Sequence, residues 1–280
     1  MPGKLTLCAT PIGNLEDMSL RAVRTLREAG LIACEDTRRT RKLLSHHGIA
    51  APELVVYNEG NEARRAEGLV KVIAGGRDVV LVSDAGMPGL SDPGFRLVAG
   101  CVAAGIRVEV VPGPSAAVSA LAVSGLPPGR FVFEGFLPRK HSERARRVRE
   151  LAAEERTIVI YESPHRIEGS LEDLFEGLGD RRAALARELT KMYEEVRRGT
   201  LGSLLEGARR DPPRGEIVVV VEGARHEPAE VEPAQLARRA RSLMDAGAER
   251  REALTLVAKE AGVPRRIVFD ALVDHGEDQE

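Results

Sequence analysis

The sequence predicts an α/β protein: two successive α/β domains followed by a small helical extension. Three observations carry this. Short apolar runs such as Leu31-Ile-Ala-Cys34 and Val79-Val-Leu-Val82 are continuous rather than alternating, as in strands buried on both faces of a parallel sheet. Segments of helical period stand between them, stopped by glycines at 30, 48, 75–76 and 105. Beyond residue 225 the strand signals end, and helical patterns alone continue. The expected boundaries are 1–117, 118–225 and 226–280.

In order, Leu5–Ala9 reads as a first strand, and Thr10-Pro-Ile-Gly-Asn-Leu15 as a sharp turn. Ser19 caps a helix over 20–29. The strand 31–34 leads through Glu35-Asp-Thr-Arg38 to a helix over 40–47. A strand at 54–57 and a helix at 62–74 precede the Val79 strand and its loop Ser83-Asp-Ala-Gly-Met-Pro-Gly-Leu-Ser-Asp-Pro-Gly94. Open parallel sheets bind ligands where such loops leave the carboxyl ends of strands. Gly86, Gly89 and Gly94 permit close backbone approach, Pro88 and Pro93 stiffen the path, and Asp84 and Asp92 are hydrogen-bond acceptors. A capped βα turn explains the same residues without a ligand. A helix over 93–104 and a strand over 107–111 follow. Val111-Pro-Gly-Pro-Ser115 then starts a helix over 116–124, whose free amides suit a carboxylate or a ribose.

The second set begins with a strand at 131–133, a basic loop and helix at 138–149, and a strand at 157–161 ending in Glu162-Ser-Pro-His-Arg166. A helix at 167–178, strands at 183–187 and 196–200, a helix at 201–209 and the β-branched strand 216–222 complete it. A polar linker spans 226–233. Helices at 233–247, 250–262 and 265–273 resemble a helix-turn-helix unit, and an acidic tail closes the chain at 274–280.

Of 280 residues, 43% are hydrophobic and 30% charged, enough for a core and a wettable surface. The formal charge of -2 excludes a globally basic nucleic-acid binder, so any such contact is local. Two patches qualify: 38–42, with Arg38 and Arg39, and 139–149, with Arg139 and Lys140. Cys8, Cys34 and Cys101 lack metal or disulfide spacing and read as buried, reduced residues. No metal-ligand cluster, leader peptide or membrane span is read, which gives a cytoplasmic expectation. Carboxylates and bases after strands, at Glu35-Asp36, Glu162 with His165-Arg166, and Glu188 with Lys191, suit a general base and a substrate clamp. They equally suit structural ion pairs.

Six motifs occur in order: Cys8-Ala-Thr-Pro-Ile-Gly-Asn-Leu15, Glu35-Asp-Thr-Arg38, Ser83–Gly94, Val111-Pro-Gly-Pro-Ser-Ala116, Tyr161-Glu-Ser-Pro-His-Arg166 and Arg187-Glu-Leu-Thr-Lys191. Together they resemble the ribosomal RNA small subunit methyltransferase I branch of the tetrapyrrole methylases, over about residues 5–222. The resemblance implies a cofactor, S-adenosyl-L-methionine, in a cleft between two α/β domains, and a homodimer. It implies 2′-O-methylation of a cytidine ribose in the decoding region of 16S rRNA, with the 30S subunit as the expected partner. It places Pro11, Asp84, Ala85, Gly86, Ser115 and Ala116 against the cofactor, with Tyr161, Leu189 and Thr190 from the second domain. Glu35, Asp36, Glu188 and Lys191 are candidates for the catalytic base, and Lys191 serves only if its pKa is depressed. Arg38, Arg39, Arg139, Lys140, His165 and Arg166 are candidates for the RNA. Two other readings remain: a small-molecule methylase of the same superfamily, and a non-catalytic RNA-binding assembly protein.

Overall fold

The computed structural model describes residues 2–225 and 232–275, in two compact units, 1–224 and 225–280. Of the expected linker at 226–233 and tail at 274–280, residues 226–231 and 276–280 lie outside the described residues.

The first unit holds two sheets. Strands β1 (Lys4–Cys8), β2 (Leu31–Cys34), β3 (Glu53–Val56), β4 (Val79–Leu81) and β5 (Arg107–Val111) form one, in the order β3-β2-β4-β1-β5. Every pairing in it is parallel. Helices α1 (Leu20–Glu28), α2 (Thr37–His46), α3 (Glu62–Ala74) and α4 (Phe95–Ala103) cover it. Leu26 and Leu44 join one core on this sheet, and Leu69, Ile73 and Leu97 another. Each such buried Leu or Ile is worth roughly 1.5–3 kcal/mol, so the continuous apolar runs follow from burial on both faces. The chain leaves β1 for β2, beyond β4, and leaves β4 for β5, beyond β1. The two adjacent strands therefore send their loops in opposite directions, which opens a crevice at their carboxyl ends.

Helix α5 (Ala116–Ser124) leads into the second sheet: β6 (Phe131–Phe136), β7 (Thr157–Glu162), β8 (Arg182–Arg187), β9 (Glu195–Thr200) and β10 (Ile217–Val221), in the order β6-β7-β10-β8-β9. Only β6 and β7 pair in parallel; β10 runs antiparallel to β7 and β8, and β9 to β8. Helices α6 (His141–Glu150), α7 (Ile167–Leu178) and α8 (Leu201–Arg210) cover one face. Helix α5, Ile12 and Leu189 pack on the other face, against Val159, Val218 and Val220.

Element boundaries differ from expectation at caps and bulges. Helix α2 begins at Thr37, not residue 40, because the Asp36 carboxylate accepts the Arg38 amide at 2.8 Å and caps it. Helix α4 begins at Phe95, not residue 93, after Gly94 at φ 157. Strand β6 continues to Phe136 through a register shift between Phe133 and Gly135.

In the second unit, α9 (Pro233–Asp245), α10 (Arg250–Ala261) and α11 (Arg265–Asp274) pack through Leu236, Ala240, Leu254, Val257, Val268 and Leu272. Among the described residues, no helix is long and apolar enough to cross a membrane.

Candidate active site

The loops after β1, β2 and β4 are tied into one surface by short hydrogen bonds. Thr10 and Gly86 exchange both backbone bonds, at 2.9 and 3.1 Å. The Thr10 hydroxyl donates to the Ser83 carbonyl at 3.1 Å. The Glu35 carboxylate accepts the Asp84 amide at 3.0 Å, and Asp84 accepts the Asp36 amide at 3.1 Å. Gly86, at φ 83, brings bare backbone to the crevice wall; a Cβ there would meet Ile12 Cγ2 at 3.4 Å.

Across the crevice stands the second sheet. The Tyr161 hydroxyl accepts the Ala117 amide at the start of α5, at 3.2 Å. Its ring meets those of Phe133 and Phe136 edge-on, with centroids 5.0 and 5.7 Å away. Burial pushes the Tyr161 phenol up in pKa, so it stays neutral. Between the sheets lies a mostly apolar cavity of about 270 Å³. Ala85, Gly86, Ser115, Ala116 and Tyr161, which the resemblance places against the cofactor, line it. Ile12, Leu90, Phe136 and Glu216 line it too, unassigned by the sequence, as does Asp92, which the sequence offers as a hydrogen-bond acceptor.

Two larger chambers share its walls. One, of about 830 Å³, has Ser91, Asp92, Phe136 and Ser163 in common with the first cavity and carries Arg139, His165 and Arg166. The other, of about 390 Å³, shares Ile12, Ala85 and Glu216 and holds Pro11, Asp84, Arg39 and Lys191. The remaining expected site residues line none of these three spaces. Leu189 is packed in the core. Thr190, at φ 66, accepts the Asn14 amide through its hydroxyl at 3.1 Å. Arg38 is spent on Asp36 at 2.7 Å, and Lys140 on Glu143 at 3.4 Å. Much of the second basic patch is likewise committed internally: Arg144 to buried Asp173, and Arg147 to Glu134 and Glu150.

The four expected base candidates have distinct environments. Hydrogen bonds from Arg38 hold Asp36 as a carboxylate, with its pKa lowered to about 2. The Lys191 ammonium lowers Glu188. Burial pulls Lys191 down, but Glu188 at 2.8 Å and Glu216 at 3.2 Å outweigh it, and the net shift is upward. Lys191 thus lacks the depressed pKa its role as a base requires. Burial raises Glu35, which is occupied with the Asp84 amide. By contrast, burial and the Glu35 charge lift Asp92 to about 7, with Asp84 and Glu216 adding to the rise and Ser83 opposing it. The sequence gives Asp92 only as an acceptor in a glycine loop; its burial beside three other carboxylates arises from chain crossings that local pattern does not encode.

In the second unit, Arg250, Arg251, Arg265 and Arg266 surround an open cavity of about 640 Å³. The Arg250 guanidinium lies 5.3 Å from the Phe269 ring centroid.

Residues 4–205 match the tetrapyrrole (corrin/porphyrin) methylase family. The protein named "Ribosomal RNA small subunit methyltransferase I" from Halalkalibacterium halodurans is 45% identical over 275 residues, covering 96% of this chain and 94% of that protein. Its namesake from Thermotoga maritima is 48% identical over 211 residues, 75% of this chain and 94% of that one. Among solved structures, uroporphyrin-III C-methyltransferase from Thermus thermophilus, complexed with S-adenosylhomocysteine, superposes with a TM-score of 0.57 at 22% identity. That match covers 79% of this chain and 97% of the other.

Proposed function

The chain belongs to the tetrapyrrole methylases and, within them, to the ribosomal RNA small subunit methyltransferase I family; on that premise we propose that it transfers a methyl group from S-adenosylmethionine to 16S rRNA, at the 2′-hydroxyl of a decoding-region cytidine. The observation that carries the reading is the apolar cavity between the sheets, adjoining a chamber that bears Arg139, His165 and Arg166. A small-molecule methylase shares the cavity, but the relatives in rRNA modification cover nearly the whole chain and favour RNA.

The cavity fits the cofactor on its own chemistry. Gly86 leaves room at the wall, Ile12, Leu90 and Ala116 offer apolar surface for a nucleoside, and the Glu216 carboxylate suits a cation. S-adenosylmethionine bound there supplies an electrophilic methyl on a sulfonium. Pro11, Asp84, Ala85, Gly86, Ser115, Ala116 and Tyr161 hold it, with Leu189 and Thr190 shaping the loop beneath. Aligning the ribose hydroxyl with that methyl accounts for several kcal/mol of the barrier. Arg139, His165 and Arg166 take the RNA strand, and Arg38, Arg39 and Lys140 meet its phosphates by exchanging their present carboxylate partners. Exposed Leu20, Phe95, Met192 and Tyr193 supply apolar surface for a homodimer.

The test is transfer of labelled methyl to 30S subunits lacking the modification, followed by nucleoside mapping. Label in 2′-O-methylcytidine supports the reading. Label on a base, or on a small molecule alone, overturns it.

A further inference from the structure

We infer that Asp92 accepts the proton of the attacking hydroxyl, standing in the wall common to the cofactor cavity and the substrate chamber. This rests on the methyl-transfer reading above and names the group which that reading leaves open. An acceptor hydroxyl must lie where the two spaces meet, with the methyl on one side and the rest of the substrate on the other. Four residues line both: Ser91, Asp92, Phe136 and Ser163. Only Asp92 can take a proton at neutral pH.

The backbone holds it there at a cost. Ser91 is one of three non-glycine residues with positive φ among the described residues, at 61°, and Gly89 and Gly94 on either side adopt 87° and 157°. A strained residue directly before a titratable group in a cavity wall marks a positioned side chain. Arg39 lies 3.5 Å from Asp84, Lys191 bonds Glu188 and Glu216, and Arg166 lies 3.3 Å from Glu162, while Arg139 and His165 stand in the chamber that Asp92 borders. The ionisable groups nearest Asp92 in charge are Glu35 from the β2 loop, Asp84 from its own loop, Glu216 at the start of β10, and Tyr161 on β7; Glu59, Glu62, Arg139, His165, Arg166 and Glu162 line the spaces it borders. Burial among these carboxylates gives a basicity near working pH, which favours proton transfer; Asp36, lowered to about 2, is a poor base there.

The step balances. The hydroxyl oxygen bonds the methyl carbon, the sulfur–carbon bond breaks with its electron pair left on sulfur, and the hydroxyl proton passes to an Asp92 carboxylate oxygen. One positive and one negative charge are lost together, and Asp92 later returns the proton to water.

The full-length Asp92→Asn and Asp92→Glu variants test this beside the wild type, by single-turnover transfer to 30S subunits, S-adenosylhomocysteine titration, and melting across pH. Asp92→Asn is expected to slow transfer at least about 100-fold while cofactor affinity stays within about threefold, and Asp92→Glu to recover part of the rate. Because folding raises this pKa, ionisation of Asp92 opposes folding and wild-type stability falls as pH rises from 3.8 through about 7. The Tm of Asp92→Asn relative to wild type therefore climbs over that interval. An Asp92→Asn rate within about threefold of wild type overturns the inference, as does a parallel loss of cofactor affinity with a lower Tm at every pH. A wild type that binds S-adenosylhomocysteine but methylates no RNA overturns the underlying reading, so the two failures are distinct.

Discussion

Glu35 and Asp84 clamp neighbouring loops: Glu35 accepts the Asp84 amide at 3.0 Å, and Asp84 in turn accepts the amide next to Glu35, that of Asp36, at 3.1 Å. Two sequence motifs separated by most of a domain thus share one hydrogen-bonded turn. The clamp makes Glu35 a positioning residue for the central loop. A Glu35→Gln protein keeps a carbonyl acceptor and is expected to bind S-adenosylhomocysteine within a few-fold of wild type. Glu35→Ala loses that acceptor, leaves the amide unpaired at about 1–3 kcal/mol, and is expected to bind at least tenfold more weakly. Calorimetric titration of the two variants checks this.

Gly86 lines the cavity between the sheets with a backbone at φ 83. At φ 83 a side chain costs about 1–2 kcal/mol in backbone strain, while its Cβ would meet Ile12 only in ordinary contact. Gly86→Ala is therefore expected to lose Tm and cofactor affinity together, by melting and titration.

Much of this was legible beforehand. The parallel first sheet follows from runs such as Val79–Leu81, buried throughout. The cavity residues Ala85, Gly86, Ser115 and Ala116 sit in motifs that end strands and begin helices, which local pattern marks well. Glu216 and Phe136 were not legible as site residues, because antiparallel insertion of β10 beside β7 and the β6 bulge bring them to the cavity. Asp36 read both as one of four base candidates and as a structural cap or ion-pair partner, and its carboxylate caps α2. Caps and bases use the same residue types at strand ends, and only neighbouring side chains tell them apart.

Asp173 is buried between Arg144 and His141, the latter at 3.0 Å. Removing one member of a buried pair strands the other charge, so Asp173→Ala is expected to cost about 3–5 kcal/mol, or roughly 10 °C in Tm. Thermal unfolding of the full chain checks it.

Glu188 sits at φ 50 and is held by Lys191 Nζ and the Glu216 amide. Its pKa is lowered, so its stabilising share is present above the ordinary 4.5 and is lost as pH falls through the folded value. The Tm gap between wild type and Glu188→Gln is expected to be widest near neutrality and to close in acid. A gap constant with pH would contradict this.

Arg250, Arg251, Arg265 and Arg266 face one open cavity beside Phe269. If the second unit contacts rRNA phosphates, Arg251→Glu with Arg265→Glu is expected to weaken 30S binding and to lower the salt slope of log K by about 1–2. Binding measured over a range of potassium chloride concentrations reads both.

The central claim is that the cavity between the sheets is where the methyl donor sits during rRNA modification. Filling it tests this most directly: Ala116→Phe places a ring in the cavity from the first turn of α5, where Ala116 is only partly buried at the edge of the α5 core. Single-turnover transfer to undermethylated 30S subunits, read beside S-adenosylhomocysteine titration and melting, is the measurement. The account predicts that transfer and cofactor binding vanish together while Tm changes by no more than about 2 °C. A filled cavity with wild-type transfer would contradict it.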